Sequence, residues 1–118
     1  MEQSILTSIK KMLGIEKDYV HFDPDIIMHI NTVLAVLTQI GVGPPEGFRI
    51  EDDSATWDNF LIHNIALEDV KTFVYLRVKL LFDPPLSTVV IEIIKQQAEE
   101  LLWRINVAVE NSIEQEEK

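Results

Sequence analysis

The sequence predicts an all-α fold, a compact bundle of four main helices plus one short helix, with a long Gly/Pro loop. Apolar residues recur at three- and four-residue steps over four segments of the chain, which is the spacing of one helix face. Prolines and glycines stand at the ends of these segments, where helices begin and stop. With 118 residues and 47% hydrophobic content, the chain is long and apolar enough to bury one core.

The first helix is predicted over residues 2–13, whose apolar side chains form one stripe. Glu2 at its start and Lys10 and Lys11 at its end match the helix dipole. Gly14 follows, and glycine readily takes the left-handed conformation that ends a helix.

The second helix has clear signals at both ends. Asp23 is predicted to cap it and Pro24 to occupy its first position. Its core-facing residues step by four and three; they are Ile26, Ile30, Val33, Leu37 and Ile40. Gly41 ends the helix, and the two prolines that follow at 44 and 45 prevent it from resuming.

A long loop over residues 41–53 holds three of the four glycines and two of the five prolines. Residues 48–50 predict a short extended piece within it, and residues 55–62 predict the short helix that follows. A loop of this length in a small domain is usually functional or mobile. We therefore look here first for a partner-binding surface.

The last two helices are predicted over residues 66–82, with Asn64 as the cap, and over about 86–111, starting at an Asp-Pro-Pro string. One side of the last helix is apolar: Val90, Ile94, Ala98, Leu101, Ile105 and Ala108. The chain then turns acidic. We predict a single domain over residues 1–110 and an acidic, frayed tail over residues 111–118.

Two arginines in these helices carry specific expectations. Arg77 falls on an apolar face, where an aliphatic residue is expected. Its head group either reaches solvent past the helix edge, which is favoured, or pairs with a neighbouring subunit or an acid such as Glu92 or Glu99. Arg104 follows Glu100 by four residues, which predicts a surface ion pair.

The charge balance limits the classes of partner. Ten Lys and Arg against 20 Asp and Glu give a formal net charge of −10, which repels nucleic-acid backbones and anionic membranes. DNA could still pass close to such a surface without specific binding. Cysteine is absent, which excludes disulfides and thiolate metal sites. No signal peptide or membrane span is recognised, so we expect a cytoplasmic protein.

Residues that could carry chemistry are scattered. His21, His29 and His63 lie far apart in sequence, and although Asp25 precedes His29 by one helical turn, no second ligand pair has matching spacing. No Gly-rich phosphate loop or nucleophile motif is present. We predict no catalytic residue, no metal and no cofactor.

Three aromatic residues, Trp57, Phe48 and Phe60, lie in or next to the long loop. They form either a small core that pins the loop to the bundle or anchors for another chain. The first interpretation is favoured, and the second stays open.

Several strings resemble one known family. They are LGI at residues 13–15, HFDPDIIMHIN at 21–31, QIGVGP at 39–44, TWDNF at 56–60, VKTFVYLRVKLLFDPPLS at 70–87 and ELLWRINV at 100–107. Together they resemble the head-tail connector, or head-completion adaptor, proteins of phages and prophages. The resemblance covers roughly residues 4 to 110, and VYLRVKLLFDPP is its most specific part.

This resemblance implies a structural subunit, not an enzyme, that forms a ring of about a dozen copies beneath the portal. The ring would extend the DNA channel and join the head to the tail. Its partners would be the portal protein and a tail-side or head-completion protein. The protein would reside in the host cytoplasm during assembly and then in the virion, at the head-tail junction. Whether the free subunit is a monomer in solution stays open.

The resemblance assigns partner contacts to the long loop and to the end of the last helix. With the aromatic cluster and the misplaced arginine, the predicted partner-binding residues are Gly43, Phe48, Arg49, Ile50, Trp57, Arg77 and Glu110.

Two other classes of function are considered. The first is an acidic helical binding or regulatory module, a monomer or dimer that could mimic DNA. A DNA mimic needs carboxylates spaced along one exposed face, whereas here they are concentrated in loops and in the tail. The second is a small metal-dependent enzyme, which would need a buried His/acid cluster that the sequence does not show.

Overall fold

The structure, a computed structural model, describes residues 4–61 and 66–116, with side chains described as far as residue 112. Within these ranges it contains five helices and no strand. The helices are α1 (Ile5–Met12), α2 (Asp23–Gln39), α3 (Trp57–Phe60), α4 (Leu67–Phe82) and α5 (Thr88–Glu116). The predicted all-α class, with four main helices and a short one, is confirmed.

Helix α4 lies at the centre of the bundle. It packs against α2 and against α5, while α1 rests on α2 and α4. At its end, Phe82 meets Phe22 beside the start of α2, with ring centroids 5.3 Å apart. Another face of α4, with Phe73 and Leu80, borders α5. The apolar residues of α4 spread around the helix because α1, α2 and α5 all pack against it.

The ion pair between α4 and α5 differs from the pair that the sequence predicts. Arg104 Nη2 lies 3.5 Å from Asp69 Oδ2 on α4, so the predicted Glu100–Arg104 pair within α5 is wrong. Asp69 belongs to the facing helix α4, and the spacing of residues within one helix cannot predict a pair between two helices.

Ser4 is the N-cap of helix α1, and its Oγ accepts a hydrogen bond from Thr7 N at 3.2 Å. The predicted start at Glu2 lies outside the described residues. The predicted end is observed: Gly14 has φ +82° and donates to Lys11 O at 3.1 Å, and Ile15 N donates to Lys10 O at 2.8 Å. These two hydrogen bonds form a Schellman motif, which satisfies the last carbonyls of the helix.

Lys10 has a role that the helix-dipole argument does not predict. Its side chain is only 2% exposed, and its Nζ lies 2.8 Å from Asp23 Oδ1. It also donates to Lys17 O at 3.0 Å and to Tyr19 O at 2.7 Å. Asp23, predicted as the cap of α2, is the first residue of that helix, and Phe22 occupies the cap position without a side-chain hydrogen bond. The carboxylate of Asp23 binds the buried ammonium instead.

The core-facing stripe predicted for α2 is confirmed, since Ile26, Ile30, Val33 and Leu37 are buried. The helix ends in a second Schellman motif. Gly41 has φ +96°, and Val42 N donates to Leu37 O at 3.0 Å. Val42 is buried in the same core.

The turn between α4 and α5 begins at Asp83, whose Oδ2 lies 2.9 Å from Lys79 Nζ and forms an ion pair with it. The last helix starts two residues after the predicted start at about residue 86. Helix α5 begins at Thr88, and Ser87 Oγ accepts from Val90 N at 3.3 Å in the manner of an N-cap.

Two further predicted boundaries can be compared with the structure. Helix α5 continues to Glu116, past the boundary between a domain at 1–110 and a tail at 111–118, and that division stays a prediction. Asn64, the predicted cap of α4, lies outside the described residues. The N-cap position of α4 is Ala66.

None of the helices in the described part of the chain is long and apolar enough to span a membrane.

Candidate docking surfaces

The long loop is held to α2 by one side chain. Asn31 Oδ1 accepts from Ile50 N at 2.8 Å, and Asn31 Nδ2 donates to Ile50 O at 3.0 Å. A single amide therefore satisfies both backbone groups of one residue, as a neighbouring strand would. Because the Ile50 side chain is also buried, residues 48–51 lie in a fixed position beside α2.

The aromatic residues of the loop region form a small core. Trp57 is fully buried, and its Nε1 donates to Ser8 Oγ on α1 at 3.1 Å. Phe48 and Phe60 have ring centroids 5.3 Å apart. This burial favours the pinning role. In this conformation Trp57 and Ile50, both predicted to bind a partner, are inaccessible and instead hold the loop that could.

The short helix α3 ties the end of the loop to the start of α1. Thr56 and Asn59 form a capping box, in which the Thr56 hydroxyl accepts from Asn59 N and the Asn59 side chain accepts from Thr56 N. Thr56 also pairs with Ser4 in an isolated β-bridge, and Ile5 N donates to Ala55 O at 3.0 Å. The loop is therefore anchored at both ends.

Gly43, another predicted partner residue, lies directly under the Phe60 ring. Its φ is +81°, a left-handed conformation that L side chains rarely adopt. A Cβ atom there would lie 2.8 Å from Phe60 Cδ1. Glycine is required at this position for two independent reasons, backbone conformation and space.

Gly43→Ala is expected to lower the free energy of unfolding by about 2–4 kcal/mol, from backbone strain and overpacking together. The matched control is Gly47→Ala. Gly47 has φ +101° but open space around its Cβ direction, so we expect a loss of only about 1 kcal/mol there. Urea unfolding monitored by circular dichroism measures both. Equal losses would show that Phe60 does not press on residue 43.

A groove of about 870 Å³ lies between the outer face of α2 and residues 46–51 of the loop. Its apolar lining includes Ile27, Met28 and Ala35 of α2 and Phe48 of the loop. Met28 is more than half exposed. These side chains are offset around α2 from the stripe that faces the core, so the groove opens away from α4.

The loop beside this groove is strongly acidic. Residues 46–53 contain four carboxylates and one arginine, Arg49, which is exposed. The Ser54 hydroxyl donates to Asp52 Oδ1 at 2.5 Å and Ser54 N donates to the same atom at 2.8 Å. These hydrogen bonds lower the pKa of Asp52 below its ordinary value, and the bond from the Ser54 hydroxyl has the larger effect. The carboxylate is therefore ionised at neutral pH.

A second apolar surface lies at the start of α5, and the sequence argument missed it. Leu86 is fully exposed, Val89 is two-thirds exposed, and Val90 and Ile93 are each more than two-fifths exposed. We call these four residues the α5 overhang. Val90 belongs to the side of the helix that the sequence predicts to be apolar, yet it is exposed. The first turns of α5 carry aliphatic residues on every side, which is more than one buried face requires, and this excess is the sequence signal for an exposed apolar surface.

The remaining predicted residues lie apart from the aromatic cluster. Arg77 is half-buried on α4, with its guanidinium carbon 5.9 Å from the centroid of the Phe73 ring, and it forms no ion pair within the described part of the chain. Glu110 is exposed on α5. The preceding residue, Val109, packs beside Gly41 at the base of the loop.

No group of three or more His, Asp and Glu residues able to hold a metal ion occurs among residues 4–61 and 66–116. His21 stacks edge-on against Phe22 at 4.9 Å, and His29 faces Phe82 at 6.4 Å. His63 lies outside the described residues.

Comparison with known proteins identifies the family of this chain. The chain matches the model of a family described as phage connector protein over residues 5–112. No curated protein and no solved structure gives a significant match. Because the family match covers nearly the whole chain, this protein belongs to the phage connector family.

Proposed function

We propose that this protein is a structural head-tail connector subunit that assembles as a ring beneath the portal, extends the DNA channel and joins the head to the tail. The observation that carries the proposal is the family match over residues 5–112. Membership in a connector family makes the protein a virion component that interacts with other head or tail proteins. The ring, the channel and the portal as partner are the proposed details.

Features of the fold support a role in assembly. The loop over residues 41–53 is held by the two hydrogen bonds between Asn31 and Ile50 and by the buried aromatic residues around Trp57. It therefore presents one conformation to a partner. A preorganised loop loses little conformational entropy on binding. Val109 of α5 packs beside Gly41 at the base of the same loop, which supports a shared contact surface made of α5 and the loop.

The charge of the protein supports passage of DNA without binding. A net charge of −10 disfavours the phosphate contacts that nucleic-acid affinity requires. An acidic lining would repel the DNA backbone and keep the duplex away from the wall.

The test is co-sedimentation with the portal ring of the same phage. We expect saturable binding to portal rings and no retention of free DNA at physiological salt. Capsids assembled without portal serve as the control and should not retain the protein. Absence of portal binding would contradict the proposal, and an acidic regulatory module would then become the leading hypothesis.

A further inference from the structure

We propose that the α5 overhang of one copy docks in the α2 groove of the next copy, forming the contact that closes the ring. This inference rests on the proposed function and names the surfaces that would carry it. The α5 overhang is residues Leu86, Val89, Val90 and Ile93, and the α2 groove is bordered by Met28, Ala35 and residues 46–51.

The size of the overhang indicates an interface. From their exposures, its four side chains offer roughly 400 Å² of accessible surface, as large as the functional apolar patches of typical monomers, about 300–600 Å². A standard interface buries about 800 Å² on each partner, so the overhang would supply about half of one side. Interface cores have this apolar, weakly charged composition.

The overhang is also nearly neutral, which suits contact with an acidic loop. Residues 86–93 carry one charged side chain, Glu92, and its Oε1 lies 3.7 Å from Lys95 Nζ. Residues 46–53, which border the groove, carry four carboxylates and one arginine, a net charge of −3. In a chain with a net charge of −10, contact between these two regions avoids the like-charge repulsion that other pairings would meet.

The positions of the two surfaces favour a ring over a two-fold dimer. The groove is lined by residues of α2 and the loop and by none of α4 or α5, whereas α5 packs beside Phe73 and Leu80 of α4. The groove and the overhang are therefore separate surfaces, and we infer that each copy uses its groove for one neighbour and its overhang for another. Such heterologous contacts form a ring where the rotation between copies closes, and an open filament where it does not. Contact between two overhangs would stop at a dimer.

Disulfide trapping tests the contact, because the chain has no cysteine of its own. Val89→Cys and Met28→Cys are placed in separate chains; both positions are exposed, so folding should be unchanged. After mixing and mild oxidation, we expect the mixed disulfide to exceed, by about tenfold, the product of Val89→Cys with the control Lys11→Cys. Lys11 is exposed on α1, away from the groove.

A second variant checks that the trapped contact is apolar. Ile93→Glu in the Val89→Cys chain is expected to lower the mixed-disulfide yield about tenfold, since it places an unpaired carboxylate in the interface. Trp103→Ala, at an exposed site further along α5, should leave the yield unchanged.

The reaction is run on the protein alone and on protein bound to portal rings, and a mixed disulfide in either sample supports the contact. Preferred linkage of Val89→Cys chains to one another would instead show a two-fold contact and overturn the proposal. If the protein binds the portal but the pair never links, the docking assignment fails and the proposed function stands. If it neither binds nor links, both fail.

Discussion

Replacing Trp57 by alanine is expected to lower the free energy of unfolding by about 3–5 kcal/mol, the range for large-to-small changes of buried aromatic residues. Trp57 is fully buried, and its indole N–H donates to Ser8 on α1. Its removal leaves a cavity where α3 meets α1. Because domains of this size are stable by about 5–15 kcal/mol, the variant should keep most of its helicity at room temperature but unfold at much lower urea concentration.

The only other tryptophan provides the control. Trp103 is 66% exposed on α5, and Trp103→Ala should change the free energy of unfolding by no more than about 0.5 kcal/mol. Urea unfolding followed by circular dichroism compares the two variants. A Trp57→Ala protein of full stability that fails to assemble would show that Trp57 anchors a partner and that the buried position described here is wrong.

Replacing Lys10 by methionine is expected to cost about 2–4 kcal/mol of stability, because it removes one partner of a buried ion pair. Asp23 would lose its cation, and the carbonyls of Lys17 and Tyr19 would lose their donor. Methionine fills much of the same volume, so the loss would come from the polar contacts. Residues 17–22 should loosen, and tryptic cleavage after Lys17 should become faster than in the unmodified protein.

Lys11→Met is the matched control for this effect. Lys11 follows Lys10 in α1 but is exposed, and no ion pair is recorded for it among the described residues. We expect a change within about 0.5 kcal/mol and an unchanged rate of cleavage after Lys17. A similar loss in both variants would mean that general charge, not the contacts of Lys10, stabilises this end of the bundle.

The parts of the fold that the sequence predicts are those with local causes. Periodic aliphatic residues define the core face of α2. Gly14 and Gly41 end α1 and α2 because each has a positive φ, which glycine adopts at little cost, and this requirement is local to the residue. The aromatic residues near the loop were recognised as one cluster for a similar reason, since they are close together in sequence.

The contacts that the sequence does not predict depend on distant residues. Lys10 looks like any cation in a last helical turn until the fold brings Asp23 and two loop carbonyls around it. Arg104 pairs with Asp69 across two helices instead of with its own helix. The α5 overhang is apolar without being buried, and helical periodicity does not distinguish an apolar face that packs in the core from one that stays exposed.

The glycines and prolines of the sequence locate the long loop, but they do not show which of its residues support the loop and which are free to contact a partner. Ile50 and Trp57 are internal supports, while Phe48 and Arg49 remain available at the groove. Helix period alone cannot separate a residue that shapes a binding loop from one that touches the partner.

The central claim, that this protein is a ring-forming connector subunit, is tested most directly by the mass of its complex with the portal ring. We predict saturation near one copy for each portal subunit, with the bound copies forming a closed ring on one end of the portal. Absence of binding, or binding of only one or two copies however high the concentration, would contradict it.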